Sequence, residues 1–154
     1  MTFLMVVTSL AASGAGDKMP SKTPPVPVVI GESIAAVRLG MPLADVQGLG
    51  FKLSPEGVDR ADGHGWVSGP LLFIVDEKEK VFTVSLDLRK SNGAKVGKSV
   101  IPAAASLDAI AKLLPGCTLS NGSGGRALAC TNAAGRVTNF YDSFMGNDLW
   151  VIMP

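Results

Sequence analysis

The chain has 154 residues, of which 47% are hydrophobic, enough to bury one compact core or a core shared by two small repeats, which excludes a disordered tail. Fourteen basic residues against thirteen acidic ones leave no global field to draw in nucleic acid or an anionic membrane, so both are excluded as expected partners.

The N-terminus is apolar over residues 3–12 and then small and flexible through Ser13-Gly14-Ala15-Gly16. This resembles the hydrophobic and cleavage regions of a secretory signal, although no Lys or Arg precedes the apolar run. Residues 1–15 are therefore read as a signal segment cleaved near Ala15, which sends the protein to the periplasm or outside the cell. The apolar run is about half of the roughly 20 residues that a hydrocarbon core requires, so no stable membrane span is expected. With no cysteine near the cleavage region, a lipid anchor is not expected either. Pro20, Pro24, Pro25 and Pro27 make 16–27 a stiff, extended tether, and the folded part is expected from Val28.

From there the chain reads as two degenerate copies, 28–102 and 103–154. LADVQGLGFKLS (43–54) and LDAIAKLLPGCTLS (107–120) each run a short helix through glycine into a strand ending Leu-Ser. The first helix starts near Pro42, where a missing amide costs nothing, with Leu43, Val46 and Leu49 on one face. Ser106 caps the second, which turns Leu107, Ile110, Leu113 and Leu114 inward and stops at Pro115-Gly116. LLFIV (71–75), a DEKEK turn and VFTVSLDL (81–88) correspond to ALACT (127–131), NAAGR and VTNFYDSF (137–144). SVIP, ending at Pro102, and WVIMP, ending at Pro154, close the two copies. The fold class expected is α+β: two tandem repeats, each a short helix or helix pair packed on an antiparallel sheet of three to four strands. The copies differ most in the loop before the second strand, which spans 55–70 in the first and only 121–126 in the second.

If the strands around NGSGG form an antiparallel hairpin, Cys117 faces Cys130 and Leu119 faces Leu128, with both pairs on one side. That register suits a disulfide, which an oxidising compartment would preserve. Two buried free thiols, or a redox or metal site, are the other readings of the pair, and no Cys-x-x-Cys spacing favours the latter.

Gly40-Met41-Pro42-Leu43-Ala44-Asp45-Val46, followed by Gly48 and Gly50, resembles the Gly-Met-Thr signature of the β-lactamase inhibitor protein family, which small lipoproteins of the outer-membrane assembly machinery share. The resemblance implies helices packed on antiparallel sheets in tandem copies, and a non-catalytic, exported protein that binds another protein. Pro42 replaces the capping threonine of that signature, and Ala105-Ser106 stands where the second copy would have Gly-Met.

Candidate chemistry gathers in PEGVDRADGHGWVSGP (55–70), which holds the only histidine, His64, with Asp62 and Trp66, the tryptophan either folding back over the sheet edge or serving as a contact anchor. Asp62 and His64 are two potential metal ligands where zinc needs three or four, so no metal and no cofactor are expected. A small hydrolase or metal-dependent enzyme built on this loop is the alternative class, and a carrier of an apolar ligand near the small-residue run 103–105 is a third. The reading carried forward is a protein-binding module. Its docking surface would comprise a sheet face and the 55–70 loop, with Trp66 and Tyr141 as anchors, His64 and Asp62 beside them, and Arg89 and Lys90 steering together with Lys95 and Lys98.

Overall fold

The computed structural model describes residues 23–145 and 148–154. The expected signal segment, most of the tether and the Gly146-Asn147 part of the last turn lie outside them. In chain order the elements are β1 (Val26–Val29), β2 (Ser33–Ile34), α1 (Leu43–Gly48), β3 (Ser54–Pro55), β4 (His64–Ser68), β5 (Leu71–Val75) and β6 (Val81–Asp87). A 3-10 turn over Leu88–Lys90 follows, then β7 (Ala94–Val96), β8 (Ser99–Ile101), α2 (Leu107–Leu113), β9 (Thr118–Asn121), β10 (Gly125–Thr131), β11 (Val137–Ser143) and β12 (Leu149–Met153).

Eight strands form one antiparallel sheet in the order β3-β4-β5-β6-β12-β11-β10-β9, and four form a smaller sheet in the order β2-β1-β7-β8. The large sheet is thus two four-stranded meanders joined where β6 pairs with β12. This overturns the expected α+β tandem architecture: the protein is mostly β, 44% strand against 12% helical. The helices have six and seven residues and each fully buries only two side chains, Leu43 and Val46 in α1, Leu107 and Ile110 in α2. Such short helices cannot form a layer on their own. Leu49 and Leu113, expected to point inward, are 50% and 41% exposed. The smaller sheet helps cover the large one instead, presenting Val28, Ile34, Ala94 and Ile101 to the shared core.

Two strand assignments change with it. The 55–70 segment is not one long loop, because HGWVS within it is β4, paired with both β3 and β5. SVI does not close the first meander; it is β8 of the smaller sheet, paired with β7. The expected tether also yields its last two residues to β1, which begins at Val26.

The core runs across the large sheet in cross-strand rows. One row is Trp66, Phe73, Val84 and Met153; the next is Leu71, Leu86, Val151, Phe140 and Leu128. Phe73, Val84, Leu86, Phe140, Leu128 and Val151 are all fully buried. Each such side chain stabilises the fold by roughly 1.5–3 kcal/mol through removal from water.

The smaller sheet is fixed to the large one at Gly31. This residue takes φ +67° in the β1–β2 turn, and its amide donates to buried Thr138 Oγ1 at 2.8 Å. A Cβ there would come within 2.7 Å of the Asn132 side chain in the β10–β11 turn, so only glycine allows the approach.

Candidate functional site

The helices and the smaller sheet contribute to the core on one face of the large sheet. Period-two alternation sends the intervening side chains to the opposite face. There the pairings bring Ser120, Ala127, Tyr141, Trp150 and Asp87 into one row across five strands. The neighbouring row is Thr118, Ala129, Asn139, Ile152, Ser85, Leu72 and Val67. Tyr141 and Trp150 are therefore direct cross-strand neighbours, flanked by small side chains.

Tyr141 is placed by a gap in β10. A Cβ on Gly125 would lie 2.9 Å from the Tyr141 Cζ and Oη atoms, so the ring crosses the sheet over a glycine. Ala127, directly opposite Tyr141, adds only a methyl group. The ring stays half-buried, an amphipathic surface with a hydroxyl at its tip.

Beyond Trp150 lies a cavity of about 180 Å3, lined in part by Glu56, Val67, Leu72, Asp87, Lys90 and Trp150. Asp87 is 1% exposed although it sits on the face of β6 turned away from the core. Its Oδ1 accepts the Arg89 backbone amide at 3.1 Å, which caps the 3-10 turn. Its Oδ2 makes no hydrogen bond. Lys90 Nζ lies 3.0 Å from Oδ2, supplying an opposite charge without an aligned donor. That contact with the carboxylate raises the Lys90 pKa above the usual lysine value. On the other wall both Glu56 oxygens accept from Arg60, at 2.7 and 2.8 Å, and this pairing holds the Glu56 carboxyl below its ordinary pKa.

The sequence-derived candidates do not converge. Tyr141 lies on this outer face, with Lys90 at its rim cavity. Trp66 shares a row with Phe73 and packs against the core, closing its edge from the opposite face. His64 and Asp62 are exposed; His64 pairs with Val75, whereas the Asp87 and Lys90 end of the sheet adjoins Leu71. Arg89 is exposed and reaches the Ala103 carbonyl at 3.4 Å. Among the described residues no group of three or more His, Cys, Asp or Glu side chains is arranged to hold a metal ion. Trp150 and Asp87 were not singled out as site residues by spacing. The available signal was their parity: Asp87 falls on the polar side of the 81–88 alternation, and Tyr141 opposite Phe140.

A larger cleft, about 660 Å3, opens between the β1–β2 turn of the smaller sheet and the β10–β11 turn of the large one, and is lined by Glu32, Arg38, Asn132 and Arg136 among others. All but Asn132 of these four side chains are exposed, and Asn132 Oδ1 is spent on the Ala134 and Arg136 amides of its own turn.

At the far edge Cys117 and Cys130 are joined in a disulfide that extends the β9–β10 ladder, in the register that pairs Leu119 with Leu128. No described helix is long and apolar enough to cross a membrane. Comparison of the chain with protein-family models, curated proteins and solved structures finds no match.

Proposed function

We propose that this chain is an exported, non-catalytic protein-binding module that docks its partner on the outer face of the eight-stranded sheet, with the loop of residues 56–63 at the rim. The observation that carries this reading is the Tyr141–Trp150 pair, two half-buried aromatic rings side by side on the face turned away from the core. Tyrosine and tryptophan are the residues most enriched among binding hot spots, because they offer a large rigid area at little entropic cost. Eight strands about 4.8 Å apart and some five residues long offer roughly 600 Å2, close to the ~800 Å2 that each side of a standard interface buries. The disulfide suits an oxidising compartment. The resemblance of residues 40–46 to the inhibitor family points to the same class of function.

The test is site-specific photo-crosslinking in cells that make the protein. A crosslinker at Ala129 on the outer face should capture a discrete partner, and one at exposed Lys52 should not. Tyr141→Ala and Trp150→Ala should each abolish that adduct, since truncating a hot-spot aromatic costs at least about 2 kcal/mol. An adduct that survives both substitutions, or that forms equally from Lys52, would remove the outer face from consideration.

A further inference from the structure

The cavity beside Trp150 has the size and charge of a socket for one side chain. Its volume, about 180 Å3, is of the order of the roughly 150 Å3 that accommodates one benzene ring. Its chemistry is set by Asp87, a carboxylate whose side chain is 2% exposed and whose Oδ2 makes no hydrogen bond. A buried carboxylate oxygen served by a single ammonium keeps acceptor capacity that a better-aligned donor could use. Oδ1 is already committed to the 3-10 turn, so the unused bonding capacity is that of Oδ2. Lys90 supplies a counter-charge, but it does so from a side chain that is 70% exposed and so is free to leave. Trp150 contributes an aromatic surface, while Glu56 on the opposite wall is already held by Arg60, so Asp87 is the carboxylate on which the cavity's charge rests.

We propose that this cavity receives an arginine side chain of the partner protein, its guanidinium stacking on Trp150 and donating to Asp87 Oδ2 while Lys90 is displaced into solvent. The proposal rests on the outer face being the docking surface, which it deepens by naming what the partner presents. Arginine fits better than lysine. Its planar cation stacks on an aromatic ring, is more weakly hydrated, and directs several fixed donors at one carboxylate, whereas an ammonium is a compact, strongly hydrated point charge. Lys90 already serves the oxygen as such a point charge without reaching hydrogen-bond geometry.

The experiment uses the full chain, nitrogen-15 labelled, titrated with N-acetyl-arginine methylamide and with its citrulline counterpart, which has nearly the same shape and no charge. The Trp150 indole N–H resonance is the reporter, and Trp66, on the other face, is the internal reference. The arginine probe should shift Trp150 saturably and leave Trp66 in place, and citrulline should shift neither. Lys90→Ala, which removes the competing cation, should tighten binding about two- to fivefold. Asp87→Asn, which keeps the Oδ1 acceptor, should lose the saturable shift. Equal shifts from citrulline, an unchanged midpoint in Asp87→Asn, or no tightening in Lys90→Ala would overturn the proposal. If Asp87→Asn fails to fold, the Lys90→Ala midpoint and the arginine–citrulline contrast decide the matter. Crosslinking then separates the two readings. An Ala129 adduct formed in undiminished yield by Asp87→Asn leaves the docking face standing and removes the arginine socket. Arginine binding without any outer-face adduct removes the partner from both.

Discussion

The two meanders of the large sheet have the same layout and are held by different means. In the second, β9 to β12 after α2, the edge is covalent: Cys117 and Cys130 tie the start of β9 to β10. Ser106 caps α2 by accepting the Ala109 amide at 3.2 Å, and Arg126 on β10 clamps the same helix through a two-bond contact with Asp108, at 2.7 and 3.1 Å. In the first meander α1 begins at Pro42 with no side-chain cap, and it is held by backbone bonds such as Leu43 N to Glu79 O at 2.9 Å. The outer edge there is the two-residue β3, and Glu56 folds over Gly65 of β4 while bonded to Arg60. A sheet edge must be blunted or tied down to avoid pairing with another chain. One half does this with a bond that depends on compartment, the other with a proline, a loop and an ion pair that do not.

Core truncation should give the largest effect and tests whether the halves share one core. Phe73→Ala and Phe140→Ala each empty a fully buried site in the third strand of its meander, β5 and β11, although the sequence likeness aligns β5 with β10. Each is expected to cost about 3–5 kcal/mol in denaturant unfolding, and both should give a single transition. Two separate transitions would break the picture of a single cooperative sheet.

Next in size is the disulfide. Its cysteines are 13 residues apart, and replacing both with alanine should remove about 3 kcal/mol in the chain-entropy model. Hydrogen exchange should quicken first in β9 and β10, while β4 and β5 keep their protection. Equal acceleration in both halves would mean that the bond supports the whole fold rather than one edge.

Ser106→Ala should cost about 1 kcal/mol, the usual value of an N-cap, read as a shift in urea midpoint. The first helix offers no counterpart to delete, so this difference is a direct measure of the asymmetry between α2 and α1.

The smallest effects appear in acid. Arg126 lowers the Asp108 pKa through hydrogen bonding, and Arg60 does the same for Glu56. A carboxyl whose folded pKa is depressed adds stability that is complete above its unfolded pKa and is lost as pH falls through the folded value. Stability should therefore drop below about pH 4, and Glu56→Gln and Asp108→Asn should each flatten that drop. Glu56 should contribute more, because its side chain is 16% exposed and that of Asp108 62%, where solvent screens the pair. The reverse order would place the stronger clamp in the second half.

Some of this was legible in local spacing and some was not. The strands 71–75, 81–88, 127–131 and 137–144 stand out by alternation and composition, and β5, β6, β10 and β11 occupy them to within a residue or two. β4 was hidden because HGWVS, as long as LLFIV, lacks its apolar run and is broken and flanked by glycine; it is a strand because β3 and β5 offer backbone partners on both sides. Trp66 could be read as folding back over the sheet edge or as a contact anchor, and its place on β4, packed against the core, matches the first of these. The candidate site was half visible: Tyr141 on the outer face follows from its parity against Phe140, and the socket beside Trp150 does not.

What the sequence determined by itself was local: the facing of Cys117 and Cys130, because a short hairpin has one register that keeps its leucines together, and the Ser106 cap, because an N-cap is satisfied within three residues. Tertiary structure alone decided that β6 would pair with β12. That pairing merges the meanders into one sheet, sends SVI to a separate small sheet, and sets Trp150 against Asp87. The physical reason is that hydrogen bonding between strands distant in the chain leaves no periodic trace in either, so partners and register are chosen only when both faces have found what will bury them.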